Sequence, residues 1–183
     1  MKSKNRIIFA VLILTSIGIA CSFLGIGKPD IELGKEIRVE KGGYAFQEIP
    51  DYEQIIGGSN VSMTPPDAEI GLFTPGVFLY GGPVENESLT LEDLYQDIVD
   101  MMTSEPSNRK DITVDGAPGL VADLKSKPFA DGSTMSGRMV VVLVAPDQQF
   151  VMVGEGPTEF WKDELRYFFD AVLTSVHFFE PEE

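Results

Sequence analysis

The chain has 183 residues, 43% hydrophobic, 10% aromatic and 23% charged, which is the composition of a folded globular protein and not of a disordered, collagenous or multi-pass membrane chain. Its formal charge of −15, from 14 Lys and Arg against 29 Asp and Glu, repels phosphate backbones and excludes nucleic-acid binding by bulk electrostatics. A single cysteine excludes an internal disulfide framework and a cysteine-rich zinc site, and a single histidine leaves most hydrolytic machinery without its usual base.

The first six residues carry Lys2, Lys4 and Arg6 and no acid, and Ile7 to Gly27 then carries no charge. A basic flank before an apolar run marks a secretory signal or an N-terminal anchor. The positive flank stays in the cytoplasm, so the rest of the chain is expected to be exported. Cys21 follows Gly18-Ile19-Ala20, which resembles the lipobox of bacterial lipoproteins, where a small residue precedes the cysteine that becomes acylated. Gly18 departs from that pattern, which usually has Leu or a similar aliphatic there. Two alternatives stand. Residues 1–20 are a signal peptide and Cys21 is the lipidation site, or residues 7–27 are an uncleaved anchor helix, since about 20 apolar residues span a bilayer. In either case the domain is anchored to the bacterial cell membrane on its extracytoplasmic side. Residues 21–41 mix Gly, Pro and charge without a period and read as a tether into a domain over 42–180.

Within the domain, Tyr44 to Ile49 reads as a first strand closed by Pro50-Asp51, Asn60 to Met63 as a second, and Val77 to Tyr80 as a third between glycine- and proline-rich turns. A helix starts at Thr90, where Leu91, Leu94, Tyr95, Ile98 and Met102 form one stripe and Thr90 with Asp93 makes a capping-box start. Ser104 to Ser107 stops it. Strands follow at Asp111 to Val114 and Leu120 to Lys125, joined by the turn Asp115-Gly116-Ala117-Pro118-Gly119, and then a long strand at Thr134 to Ala145. Met139 to Ala145 and, after Pro146-Asp147-Gln148-Gln149, Phe150 to Val153 are apolar at every position. Strands without alternation imply a sheet covered on both faces, and the short connection makes this pair antiparallel. A second helix, Thr158 to Val176, places Trp161, Leu165, Phe168, Val172 and Val176 on one stripe with Phe169 and Leu173 beside it. The expected fold is therefore α/β (α+β): a three-layer α/β/α sandwich with a central, mainly antiparallel sheet of six or seven strands and helices on both faces.

This order of three strands, helix, four strands and a long terminal helix resembles the PsbP-like/DcrB-like superfamily. The resemblance rests on Gly43-Tyr44-Ala45-Phe46-Gln47-Glu48-Ile49-Pro50, on the turn Val114-Asp115-Gly116-Ala117-Pro118-Gly119, and on the hairpin ending at Gly154-Glu155-Gly156 before the last helix. It covers residues 42–180 as a pattern and implies a fold, with no catalytic or ligand residue to transfer. Binding and assembly roles are what it implies for function.

The chemistry-bearing residues point the same way. His177 reads as a residue at the C-terminal end of the last helix, where partial positive charge is favourable, more simply than as a general base or metal ligand. Ser133 and Ser136 read as turn residues, and no Gly-x-Ser-x-Gly elbow or calcium-loop spacing occurs. Glu92, Asp93, Asp97 and Asp100 read as the wet face of a helix rather than a cation site. Loops at 56–66, 73–83 and 126–133, with Phe73, Phe129, Phe178 and Phe179, are candidates for recognition. The expectation is a binding or assembly module without catalytic, metal or cofactor residues. Its partners would be the membrane, through a lipid or anchor helix, and a protein or envelope component, with no nucleic acid. Two alternatives are a chaperone-like groove for apolar protein segments, as in DcrB-like relatives that shield transmembrane segments, and a carboxylate-based metal-dependent hydrolase.

Overall fold

Turn chemistry sets the strand boundaries in the computed structural model, which describes residues 31–68, 74–84 and 88–182. The apolar run, Cys21 and Phe73 lie outside the described residues. Strand β1 (Glu36–Val39) turns through a short 3-10 segment into β2 (Tyr44–Gln47). Strands β3 (Glu53–Gly57) and β4 (Asn60–Thr64) form a hairpin around Gly58, whose φ of 64° favours glycine. Strand β5 (Gly76–Pro83) precedes helix α1 (Leu91–Met101). Strands β6 (Glu105–Val114) and β7 (Ala117–Lys125) are joined through Asp115 and Gly116 with φ of 45° and 84°, the pair of left-handed residues that a tight hairpin turn of matching twist requires. Strands β8 (Met135–Ala145) and β9 (Gln148–Pro157) lead into helix α2 (158–175), and β10 (His177–Phe178) ends the fold.

Seven strands make one antiparallel sheet in the order β3-β4-β5-β9-β8-β7-β6, and β1-β2-β10 form a second, three-stranded sheet. The two-faced reading of the central hairpin holds. Val140, Val142, Phe150 and Met152 enter one buried cluster with Trp161, Leu165, Phe169 and Val172 of α2 and with Tyr44 and Phe46 of the small sheet. Met139, Val141 and Val151 enter the other with Leu94 and Tyr95 of α1.

The architecture is a mixed α+β fold with two long helices among the described residues, and the strict α/β/α sandwich is met only in part. One face is covered jointly by α2 and the small sheet. The other is covered by α1 alone, so the β3–β5 side of that face carries no helix among the described residues. Glu36–Val39, inside the stretch expected to be a tether, is instead a strand paired with β2. His177 lies beyond the helix and opens β10, where it pairs with Ala45. The segment expected only to stop α1 already belongs to β6 from Glu105, and Pro106 is tolerated there because β6 is an edge.

Helix α2 runs as Thr158–Phe160, a π turn at Trp161–Leu165, and Arg166–Ser175. The Arg166 N–H donates to the Trp161 carbonyl across this wider turn. Phe169 rather than Phe168 is the fully buried position, four residues after Leu165 and three before Val172. Phe168 moves to the flank, with its ring 5.6 Å from that of Tyr52.

Candidate functional site

Alternation along β5 divides its side chains between two environments. Val77 and Leu79 are buried in the α2-side core, whereas Phe78 and Tyr80 face the side of α1. Register places Ile55, Ser62, Phe78 and Val153 in one cross-strand row on that face. Helix α1 stands over β7 and β8 and leaves a groove beside it of about 570 Å³. Phe78 and Tyr80 of β5 and Gln149 and Val151 of β9 form the floor. Leu94, Asp97, Ile98 and Met101 of α1 form the wall, with Val84 and Leu89 at one end. Leu94, Ile98 and Met101 share a wall because they recur at helical spacing. Burial fades along this stripe: Leu94 is 3% exposed and Met101 71%. Phe78 is 42% exposed on the groove floor, and Ile55, 74% exposed, lies two strands away at the sheet edge beyond Ser62.

The polar frame of the helix holds this wall in place. Thr90 accepts from the Asp93 N–H at 3.2 Å, and the Thr90 N–H donates to Asp93 Oδ2 at 3.0 Å, the reciprocal cap that the sequence announced. Hydrogen bonds from Thr90 hold the Asp93 carboxyl below its usual range. The cap is therefore intact at neutral pH and is lost only as pH falls through that lowered value. Glu92 is bound by both terminal nitrogens of Arg109, and these bonds likewise lower its carboxyl. The Arg109 guanidinium also lies 4.6 Å from the Tyr95 ring centre. Asp100 accepts from Gln96 at 2.6 Å. Of the four acids on this helix only Asp97 lines the groove, so its chemistry is apolar with one carboxylate at the rim.

Other residues singled out in the sequence are held apart. His177 Nδ1 lies 3.5 Å from Asp115 Oδ1, while the other Asp115 oxygen accepts the Phe178 N–H at 2.8 Å. That arrangement clips the β6–β7 turn to β10. Ser133 bonds Asp131 through both its N–H and its hydroxyl, and the Ser136 hydroxyl lies 2.9 Å from that of Thr158 at the start of α2. Phe178 packs on Phe150 with ring centres 5.3 Å apart, and Phe179 lies 3.4 Å beneath the Arg38 guanidinium. Among the described residues no group of three or more His, Cys, Asp and Glu is placed to hold a metal ion. No described helix is long and apolar enough to cross a membrane.

No family model matches the chain, and no curated protein matches it in sequence. Solved structures are similar to it. Cyanobacterial PsbP (CyanoP) from Synechocystis sp. PCC 6803 superposes with a TM-score of 0.54 at 16% identity, covering 87% of this chain and 97% of that one. LpqN, described as involved in cell envelope biogenesis of Mycobacterium tuberculosis, gives 0.58 at 6% identity over 81% of this chain and 87% of that one. A Bacteroides thetaiotaomicron protein gives 0.54 at 10% identity, with this chain spanning about half of it (51%). The chain has the PsbP-like fold. At these identities the likeness is one of fold, and function must be argued from the groove.

Proposed function

We propose that this protein is a membrane-tethered, extracytoplasmic binding module without catalytic activity, and that the α1–β5 groove takes up an apolar segment of a protein partner. The observation that carries this reading is the exposure of Phe78 and Met101, which line the same mainly apolar groove of about 570 Å³. Soluble surfaces seldom leave large apolar side chains contiguous without a partner. An unbranched Met at the rim suits varied apolar contacts. The fold it shares with LpqN, a protein of cell envelope biogenesis, supports an envelope setting. The carboxylate hydrolase reading has no comparable cluster among the described residues.

Photo-crosslinking tests the groove. With benzoylphenylalanine at Met101 of the full chain in its own membranes, adducts are expected on an apolar stretch of a partner protein. Phe78→Glu is expected to abolish them, because it sets a carboxylate on the groove floor. Adducts confined to lipid, or adducts indifferent to Phe78→Glu, would remove the groove from the function.

The tether has its own test. Cys21→Ser is expected to abolish fatty-acid labelling and leave an uncleaved precursor. Unchanged labelling and mass would replace the lipid with the anchor helix over 7–27.

A further inference from the structure

The two edges of the large sheet are built differently. Edge β6 carries Pro106, a register break between Ser107 and Lys110, Asn108 in the left-handed region at φ 52°, and the charged run Arg109-Lys110-Asp111. Each of these discourages another strand from pairing there. Edge β3 has none of them. Glu53-Gln54-Ile55-Ile56-Gly57 is unbroken in register against β4, and Ile55 and Ile56 are 74% and 55% exposed.

In a two-residue hairpin the residues flanking the turn form a hydrogen-bonded pair, and such pairs alternate along the strand. Gly57, Ile55 and Glu53 therefore bond inward to Asn60, Ser62 and Thr64, while Gln54 and Ile56 direct their N–H and C=O outward. We infer that β3 pairs antiparallel with β3 of a second copy of this chain, centred on Ile55, to join two sheets into one.

The register is self-complementary. Centring on Ile55 sets Gln54 opposite Ile56 of the other copy and Ile56 opposite its Gln54, so every outward group of both strands is used. Ile55 meets its own counterpart in a close non-hydrogen-bonded pair, and Glu53 falls opposite Gly57 rather than another acid. The chain's negative charge opposes association in general, but this register places no like charges across the seam. A two-fold axis normal to the sheet also sets both Ile55 side chains on the Phe78 face, with Ser62 between each Ile55 and the Phe78 of its own copy. A five-residue edge is small beside a standard interface of about 1,600 Å². The pairing is thus reversible and is best trapped covalently.

The test uses the full chain in its membranes with a mild copper–phenanthroline oxidant. Close cross-strand pairs in this position have α-carbons about 4.5 Å apart, within disulfide reach. Ile55→Cys is expected to shift from the monomer band to one of twice that mass, reversed by reductant. The unaltered chain, with Cys21 alone, and Met101→Cys, equally exposed on the same face, are expected to stay monomeric. Adding Ile56→Pro to Ile55→Cys removes one outward N–H and no bond to β4. It is expected to abolish the dimer while the thermal transition and near-ultraviolet dichroism stay those of Ile55→Cys. The proposal is overturned if Ile55→Cys gives no dimer, if Met101→Cys gives as much, if Ile56→Pro leaves the dimer intact, or if Ile55→Cys is captured on a different protein.

Discussion

Val142→Asp is expected to abolish cooperative folding. Val142 is fully buried on β8, paired with Phe150 on β9 and with Gly119 on β7, and its side chain lies in the cluster beneath α2. An aspartate there finds no described cation in that cluster, and a buried polar group without a partner costs several kcal/mol. A domain of this size has about 5–15 kcal/mol in total. Loss of the thermal transition and of near-ultraviolet dichroism is the expected result. Ile55→Asp, on the exposed edge of the same sheet, is expected to retain both. A cooperative Val142→Asp chain would mean that β8 does not hold the centre of the sheet.

That expectation was legible in the sequence because β8 and β9 carry apolar residues at consecutive positions, which only a sheet covered on both sides tolerates. The start of α1 was equally legible, since Thr90 and Asp93 are a local signal that tertiary contacts do not rewrite. The strands that escaped were short and had no pattern of their own. Glu36–Val39 is held by the register with β2, and His177–Phe178 by that same strand and by Asp115. Glu53–Gly57 shows two adjacent isoleucines and no alternation, because an edge strand with no cover on its outer side need not hide either face. In α2 Trp161, Leu165, Val172 and Val176 are buried as their spacing predicts. Phe169 takes the fully buried place expected for Phe168; a stripe of period 3.6 admits either, since they lie four and three residues after Leu165.

The place of the groove follows from the widths of helices and strands. A helix is about 10 Å across and strands lie about 4.8 Å apart, so one helix covers roughly two strands. Among the described residues α1 alone covers one face of the seven strands, which leaves part of that face without a helix. Phe78 and Tyr80 sat within a segment noted for its loops, and their alternation with Val77 and Leu79 was the available signal. The acidic stripe gave the opposite lesson. Glu92, Asp93 and Asp100 are taken up by Arg109, Thr90 and Gln96, and only Asp97 reaches the groove.

Gly154→Val is expected to separate α2 from the sheet. A methyl group on Gly154 would sit 2.6 Å from Phe169 Cδ2 and 3.1 Å from Trp161 Cζ3, closer than carbon atoms pack. The two rings meet edge to face with centres 5.8 Å apart and are almost wholly buried against the bare backbone of β9. Gly154-Glu155-Gly156 was noticed as a hairpin ending; its physical reason is that aromatic side chains rest on a strand that has no side chain beneath them. Overpacking by single methyl groups costs about 1–3 kcal/mol, so Gly154→Ala falls in that range and the branched valine exceeds it. Because Trp161 is the only tryptophan, its emission reports this seam alone. Gly154→Val is expected to shift that emission to the red and to lower the thermal midpoint by several times the about 2–4 °C that each kcal/mol moves a domain of this size. Gly132→Ala is the matched control: φ of 83° strains any side chain there, yet no atom lies within 4 Å of the added carbon. It is expected to lower stability without moving the emission. A Gly154→Val chain whose tryptophan stays blue would place the α2 contact elsewhere on β9 and detach Phe169 from the centre of the core.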